Sequence, residues 1–204
     1  MSLDDNTRDR IQALINDNDV MLFMKGHRQE PQCGFSARVV QMLDQFVSDY
    51  TTFDVLSDGG VREGIKEFSS WPTIPQLYVR GEFIGGCDII TELFESGELA
   101  GSFGIDLSEV SAPQIELTDA AAESILEALR TAPADHALHL GVDARHQASL
   151  FLAVPGPGVL RVEVNGVALH FDPLSAQRAQ GASIDLTRTD RGVGFQVHLP
   201  GHAG

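Results

Sequence analysis

Two cysteines, Cys33 and Cys87, are the only thiols in this 204-residue sequence. Cys33 lies in the segment MKGHRQEPQCGFSARVV (24–40), where an apolar run ends, a polar loop follows and a helical pattern begins. A helix N-terminus stabilises a thiolate, because its unpaired backbone N–H groups and the helix dipole favour negative charge. A thiolate is both a nucleophile and a ligand for soft metals. Cys33 is therefore the predicted reactive group of the chain.

The residues near Cys33 limit the reactions that its thiolate can carry out. Position 36 is serine, so the loop contains no second thiol for a dithiol cycle. Lys25, at the end of the apolar run, can attract a carboxylate or stabilise the thiolate. Cys87 also lies at the start of a predicted helix, and we interpret it as less essential than Cys33. Whether Cys33 and Cys87 form a disulfide stays open, because the bond depends on a Cα separation that sequence spacing does not specify.

The elements that must position these residues alternate between helix and strand in the first half of the chain. Apolar residues recur at helical spacing in some segments, and short apolar runs bounded by polar or glycine residues indicate strands in others. The predicted helices span 3–17, 34–47, 61–68 and 87–96, and the predicted strands span 20–25, 51–56, 75–80 and 82–85. This order predicts an α/β sandwich around a small mixed sheet.

The second half has a different pattern. We predict one domain over 1–103, a linker over 104–113 and a second domain over 114–204, because the segment 101–114 is rich in small residues and lacks periodicity. Thr118 is a favourable N-cap for a helix over 120–130. The predicted strands span 114–118, 136–142, 149–154, 159–164, 167–171, 183–188 and 194–199. We therefore expect a β-rich α+β domain with one helix.

Charge and composition exclude several functions. Asp and Glu number 29 against 14 Lys and Arg, which gives a net charge of −15 and argues against nucleic acid and anionic membranes as partners. Two cysteines are too few for a disulfide-stapled secreted domain. The sequence begins with a polar, acidic segment and contains no run of 18 apolar residues, so we predict no signal peptide and no membrane helix. We expect a cytoplasmic protein.

Four short motifs occur in order in the first half. They are Lys25-Gly26, Pro31-Gln32-Cys33-Gly34-Phe35-Ser36, Trp71-Pro72-Thr73-Ile74-Pro75-Gln76 and Gly85-Gly86-Cys87-Asp88. In this order and spacing they closely resemble a CGFS-type monothiol glutaredoxin over residues of about 5–103. The resemblance implies a thioredoxin-like fold, a redox-active centre at Cys33 and a glutathione site.

The resemblance also assigns the glutathione contacts. They are Lys25, Arg62, Ile74, Cys87 and Asp88. Glutathione carries two carboxylates and one ammonium group, so Lys25 and Arg62 suit its glycyl carboxylate and Asp88 suits its γ-glutamyl end. The segment Thr73-Ile74-Pro75 is similar to the family's cis-proline loop, whose exposed backbone pairs with the peptide.

The family's holo form holds a [2Fe–2S] cluster between two subunits. The two subunits together supply two of the four thiolates that such a cluster takes, one cysteine from each, and two glutathione molecules supply the other two. Cys33 is then the one protein ligand per chain. The resemblance implies that a homodimer transfers the cluster from scaffold to recipient apo-proteins. A BolA-like protein is a further possible partner.

Two other functions stay open for Cys33. The first is a glutathione-dependent thiol–disulfide oxidoreductase, of weak activity at most, that removes glutathione from protein thiols. The second is an interaction or redox-sensing protein in which a glutathionylated Cys33 is the switch.

Residues of about 113–200 resemble an A-type iron–sulfur carrier. The likeness depends on the segments Asp172-Pro173-Leu174-Ser175, 181–185 and 192–195. That family binds metal through three cysteines, and here the corresponding regions, 143–148 and the C-terminal tail, contain none. We therefore predict a degenerate carrier-like domain without a cluster. His136, His139, His146, His170 and His198 are interpreted as solvated or strand-packing residues rather than as replacement ligands.

Overall fold

The computed structural model describes residues 3–156, 158–189 and 192–201. The chain divides into two compact units, Met1–Asp106 and Leu107–Gly204. The boundary between them falls inside the segment 104–113. Among the described residues, no helix combines the length and the apolar character that crossing a membrane requires.

The first unit alternates helices and strands. Its helices are α1 (Asp5–Asn16), α2 (Gly34–Phe46), α3 (Gly59–Ser69), α4 (Cys87–Ser96) and the short α5 (Leu99–Ser102). Its strands are β1 (Val20–Met24), β2 (Thr51–Asp54), β3 (Gln76–Val79) and β4 (Glu82–Gly85). They form one mixed sheet in the order β2-β1-β3-β4, in which β1 and β2 are parallel and the other pairs antiparallel. The predicted α/β sandwich is confirmed, and α5 is an addition to it.

The central strand β1 is buried on both faces, which explains its continuous apolar run. Met21 and Phe23 pack with α1 and α3 in one hydrophobic cluster. Leu22 and Met24 are fully buried, and alternation along the strand directs them to the opposite face. Helices α2 and α4 contact each other. Burial on both faces holds β1 rigidly, and the candidate functional loop begins where β1 ends.

The described part of the second unit contains two sheets and two helices. Its strands are β5 (Ile115–Leu117), β6 (Ala137–Val142), β7 (Ala148–Ala153), β8 (Leu160–Val164), β9 (Val167–Phe171), β10 (Ala182–Thr189) and β11 (Gly192–His198). Its helices are α6 (Asp119–Leu129) and α7 (Pro173–Arg178). The sheet orders are β11-β10-β5 and β7-β6-β9-β8. This unit is β-rich, as predicted.

The prediction of a single helix in the second unit was wrong. Helix α7 begins after Asp172, whose side chain accepts a hydrogen bond from the Ser175 backbone N–H at 3.0 Å, with Pro173 in the first turn. An Asp-Pro pair is a favourable helix start, but the helix is too short for apolar periodicity to reveal it. The predicted strand over 136–142 was also one residue too long, because β6 begins at Ala137 and the His136 ring lies outside it, 2.8 Å from Asp135.

Candidate functional site

The loop between β1 and α2 holds its shape through its own backbone. Gln32 N–H donates to the Lys25 carbonyl at 3.0 Å, and His27 and Glu30 exchange backbone hydrogen bonds. Gly26 has φ of +81°, and a Cβ there would lie 2.4 Å from the Glu30 carbonyl oxygen. Glycine is therefore required at position 26 for the loop to close on itself.

Two further contacts fix this loop to the rest of the unit. The Ser36 hydroxyl accepts a hydrogen bond from the Lys25 N–H at 3.1 Å, and Asp54 accepts one from the Gly26 N–H at 2.8 Å. Ser36 is fully buried. The serine that replaces a second thiol thus has a structural role.

Cys33 is the N-cap residue of α2. Its carbonyl accepts a hydrogen bond from the Ala37 N–H at 2.9 Å, and its side chain makes no capping hydrogen bond. The half-buried thiol therefore stands at the open, positive end of a 13-residue helix. This is the placement predicted from the sequence.

A second helix N-terminus opens on the same cavity. Gly86 is the N-cap of α4 and likewise makes no side-chain cap, so the helix begins at Cys87 and Asp88 with free backbone donors in its first turn. Cys87 is 8% exposed, and burial raises the pKa of its thiol. Cys87 is therefore less reactive than its position at a helix start indicates.

The third wall is the segment before β3. The Ile74–Pro75 peptide bond is cis, as the family resemblance implied. The buried Gln76 side chain holds the segment by donating to the carbonyls of Trp71 at 3.0 Å and Thr73 at 3.1 Å.

These walls enclose a cavity of about 390 Å³. All six predicted site residues line it, and they come from five separate stretches of the chain. The lining residues are Lys25, Cys33, Phe35, Arg62, Lys66, Trp71, Pro72, Thr73, Ile74, Cys87 and Asp88. The volume is within the range of small-molecule sites.

The cavity is cationic, although the protein as a whole is strongly acidic. Lys25, Arg62 and Lys66 line it against the single carboxylate of Asp88. Lys66 is paired with Glu63 at 2.9 Å, and the two helix N-termini add positive potential. The site can therefore hold an anion with one cationic group.

Two buried donors in the cavity wall lack a hydrogen-bond partner among the described residues. They are Arg62 Nε and Trp71 Nε1. Glu63 lies 3.8 Å from Arg62 Nε, which is beyond hydrogen-bond reach. Both residues line the cavity, and neither donor is used within the described part of the chain.

Comparison with known proteins places the first unit in a family. A glutaredoxin family model matches residues 20–84. An "Uncharacterized monothiol glutaredoxin ycf64-like" from Synechocystis sp. is 56% identical over 93 residues, which are 46% of this chain and 87% of the relative. The chain belongs to the monothiol glutaredoxin family. "Monothiol glutaredoxin-S17" from Arabidopsis thaliana is 60% identical over 91 residues, but these are 45% of this chain and 19% of that protein.

One solved structure is also similar to part of this chain. Reduced poplar apo GrxS14 is 44% identical, with a TM-score of 0.46, and the match covers 50% of this chain and 94% of that chain. The two sequence relatives each match less than half of the chain. The residues of the family model lie in the first unit, so the thioredoxin-like fold is assigned to that unit, whereas the carrier-like fold of the second unit stays a prediction.

The monothiol glutaredoxin cavity also contains residues that sequence analysis did not assign to it. Trp71, Phe35 and Lys66 line the site, and Phe35 is 61% exposed. Phe35 and Trp71 stand within the four motifs, so their position was the available signal. For Lys66 the sequence offered no signal beyond its position one helical turn after Arg62.

Proposed function

We propose that this monothiol glutaredoxin binds a [2Fe–2S] cluster with glutathione and transfers it from scaffold to recipient apo-proteins. The observation that carries the proposal is the Cys33 thiol at the open end of α2, on the edge of a cationic cavity that contains one carboxylate. The cluster is the cargo. Each chain supplies the Cys33 thiolate and each bound glutathione supplies a second thiolate, so two chains complete the four ligands.

The charges of the cavity suit glutathione. Lys25 and Arg62 take its glycyl carboxylate, and Asp88 takes the ammonium group of its γ-glutamyl end. The unpaired donors on Arg62 and Trp71 add hydrogen bonds to carboxylate or peptide oxygens. The backbone beside the cis Ile74–Pro75 bond pairs with the peptide in strand fashion.

Anaerobic reconstitution with iron, sulfide and glutathione tests the proposal. We expect Cys33→Ser to abolish the visible absorption of the cluster and Cys87→Ser to retain most of it, because only Cys33 is both accessible and at the free end of α2. The holo protein should elute as a dimer on size exclusion. Equal loss of iron and sulfide in both variants, or a stable coloured dimer formed without any small thiol, would contradict the proposal.

The oxidoreductase alternative uses the same thiol. The Cys33 thiolate would attack the glutathione sulfur of a protein–glutathione mixed disulfide. This step forms a Cys33–glutathione disulfide and releases the protein thiolate. A second glutathione would then release oxidised glutathione and regenerate Cys33. We expect weak turnover, because the loop contains no second thiol and Cys33 must wait for external glutathione to regenerate it. Turnover equal to that of a dithiol glutaredoxin would make this the main function.

For the second unit we propose a degenerate A-type carrier-like domain that docks scaffold or recipient proteins. Binding surfaces and metal ligands are separate features of a fold, so loss of the three cysteines leaves docking intact. A tether raises the effective concentration of a docked partner near Cys33, on the order of millimolar for a short flexible linker.

A further inference from the structure

Four side chains form a row across the sheet β7-β6-β9-β8 of the second unit. His139 is in register with Phe151 on one side and His170 on the other, and His170 is in register with Arg161. Their neighbours along each strand pack into the core of the unit. Because side chains alternate along a strand, the row lies on the opposite face of the sheet.

The two imidazoles of this row are close and partly enclosed. Their ring centroids are 5.5 Å apart, and Phe151 stacks on His139 at 5.4 Å with an interplanar angle of 15°. His139 is 8% exposed. Nε2 of His139 and Nδ1 of His170 are buried without a hydrogen-bond partner among the described residues. Buried polar atoms are normally paired, so these two nitrogens require a specific explanation.

The separation of the rings suits a shared metal ion. Zinc–nitrogen bonds of about 2.0–2.1 Å at a tetrahedral angle bring the centroids of two imidazoles to roughly 5 Å. Arg161, at the end of the row, is paired with Glu163 at 2.8 Å, so its charge is compensated.

We propose that His139 and His170 form a two-imidazole site for a borderline divalent transition-metal ion such as Zn²⁺. The part of the chain that the structure describes contains no group of three or more His, Cys, Asp or Glu residues able to hold a metal. Water or a donor atom from another molecule therefore completes the coordination, and the ion is exchangeable. The site is independent of Cys33 and differs in ligand type from a three-cysteine centre.

Zinc titration by calorimetry tests the site in the full chain carrying Cys33→Ser, so that the reactive thiol does not compete. We expect one saturable site, weakened at least tenfold by His139→Phe, which keeps a ring against Phe151, and by His170→Gln. His198→Gln is the matched control, because His198 is exposed and lies on β11. Its affinity should stay within twofold of the parent.

A second measurement needs no variant of the two histidines. In ¹⁵N spectra of the Cys33→Ser chain, Zn²⁺ should shift the His139 Nε2 and His170 Nδ1 signals together and leave His198 unchanged. The proposal is overturned if these two signals do not move, if folded His139→Phe binds Zn²⁺ as tightly as its parent, or if His198→Gln causes the same loss.

Discussion

Single side chains determine what the cationic cavity can recognise. Trp71 presents a buried Nε1–H without a partner among the described residues and packs against Phe83 with ring centroids 5.8 Å apart. It therefore combines a packing role with a hydrogen-bond donor that the sequence did not reveal. The two roles can be separated, because phenylalanine keeps the ring contact and lacks the donor.

We expect Trp71→Phe to weaken glutathione binding by roughly 1 kcal/mol, about fivefold, because one hydrogen bond to the ligand is lost. The measurement is the glutathione concentration at half-saturation, from NMR titration of the cluster-free protein. The urea midpoint serves as the control and should change little. An unchanged half-saturation value would exclude Trp71 as a ligand donor.

The burial of Tyr78 predicts how the stability of the first unit depends on pH. Tyr78 is 3% exposed, and burial raises its pKa to about 12 from 10.0. Folding therefore favours the neutral phenol, and this stabilisation is complete below pH 10 and lost as the pH rises through 12. The free energy of unfolding should fall by roughly 2 kcal/mol more over this interval in the parent than in Tyr78→Phe. Urea denaturation at pH 9 and pH 12 measures the difference, and parallel losses in both proteins would contradict it.

At the scale of elements, the close approach of α1 and α3 supports the sheet beside the site. Gly64 lies in the middle of α3, and a Cβ there would be 2.7 Å from Leu3 Cδ1, 2.8 Å from Thr7 Cγ2 and 3.2 Å from Ile11 Cδ1. The absence of a side chain at position 64 therefore permits the contact between the helices, at the expense of helix propensity.

Gly64→Ala should lower the free energy of unfolding by about 1 kcal/mol, because overpacking exceeds the gain in helix propensity. Gly59→Ala is the control in the same helix, since no atom lies within 4 Å of a Cβ at that position. The control should be neutral or slightly stabilising in chemical denaturation. A stabilising Gly64→Ala would show that the helices can separate without cost.

At the scale of the whole molecule, the chain joins a unit with a cationic cavity to a β-rich unit with its own core. The chain carries a net charge of −15, so the positive cavity is a local feature. Separate cores predict that each unit folds without the other.

Removal of residues 107–204 should leave cluster reconstitution unchanged and slow cluster transfer to recipients, because the docking surface is lost. Transfer is followed by circular dichroism in the visible range, with far-ultraviolet spectra of the truncated chain as the folding control. Equal transfer rates with and without the second unit, across several recipients, would contradict docking.

The sequence by itself determined the elements and the reactive thiol. Apolar spacing located α2, α4 and β1 to within a residue, because each pattern is local and its burial follows from one or two neighbours. Cys33 was predictable for the same reason: its loop, its helix start and its motif are contiguous. The contacts assigned to glutathione followed from family resemblance, and the short helix α7 left no periodic signal.

The tertiary structure decided which distant residues meet. Lys25, Arg62 and Trp71 share one cavity because α3 and the segment before β3 pack beside the end of β1. His139 and His170 are neighbours because β6 pairs in parallel with β9, a register that depends on the packing of the whole second unit. A one-residue slip would place either histidine on the other face, so strand pairing, which no local pattern encodes, creates the site.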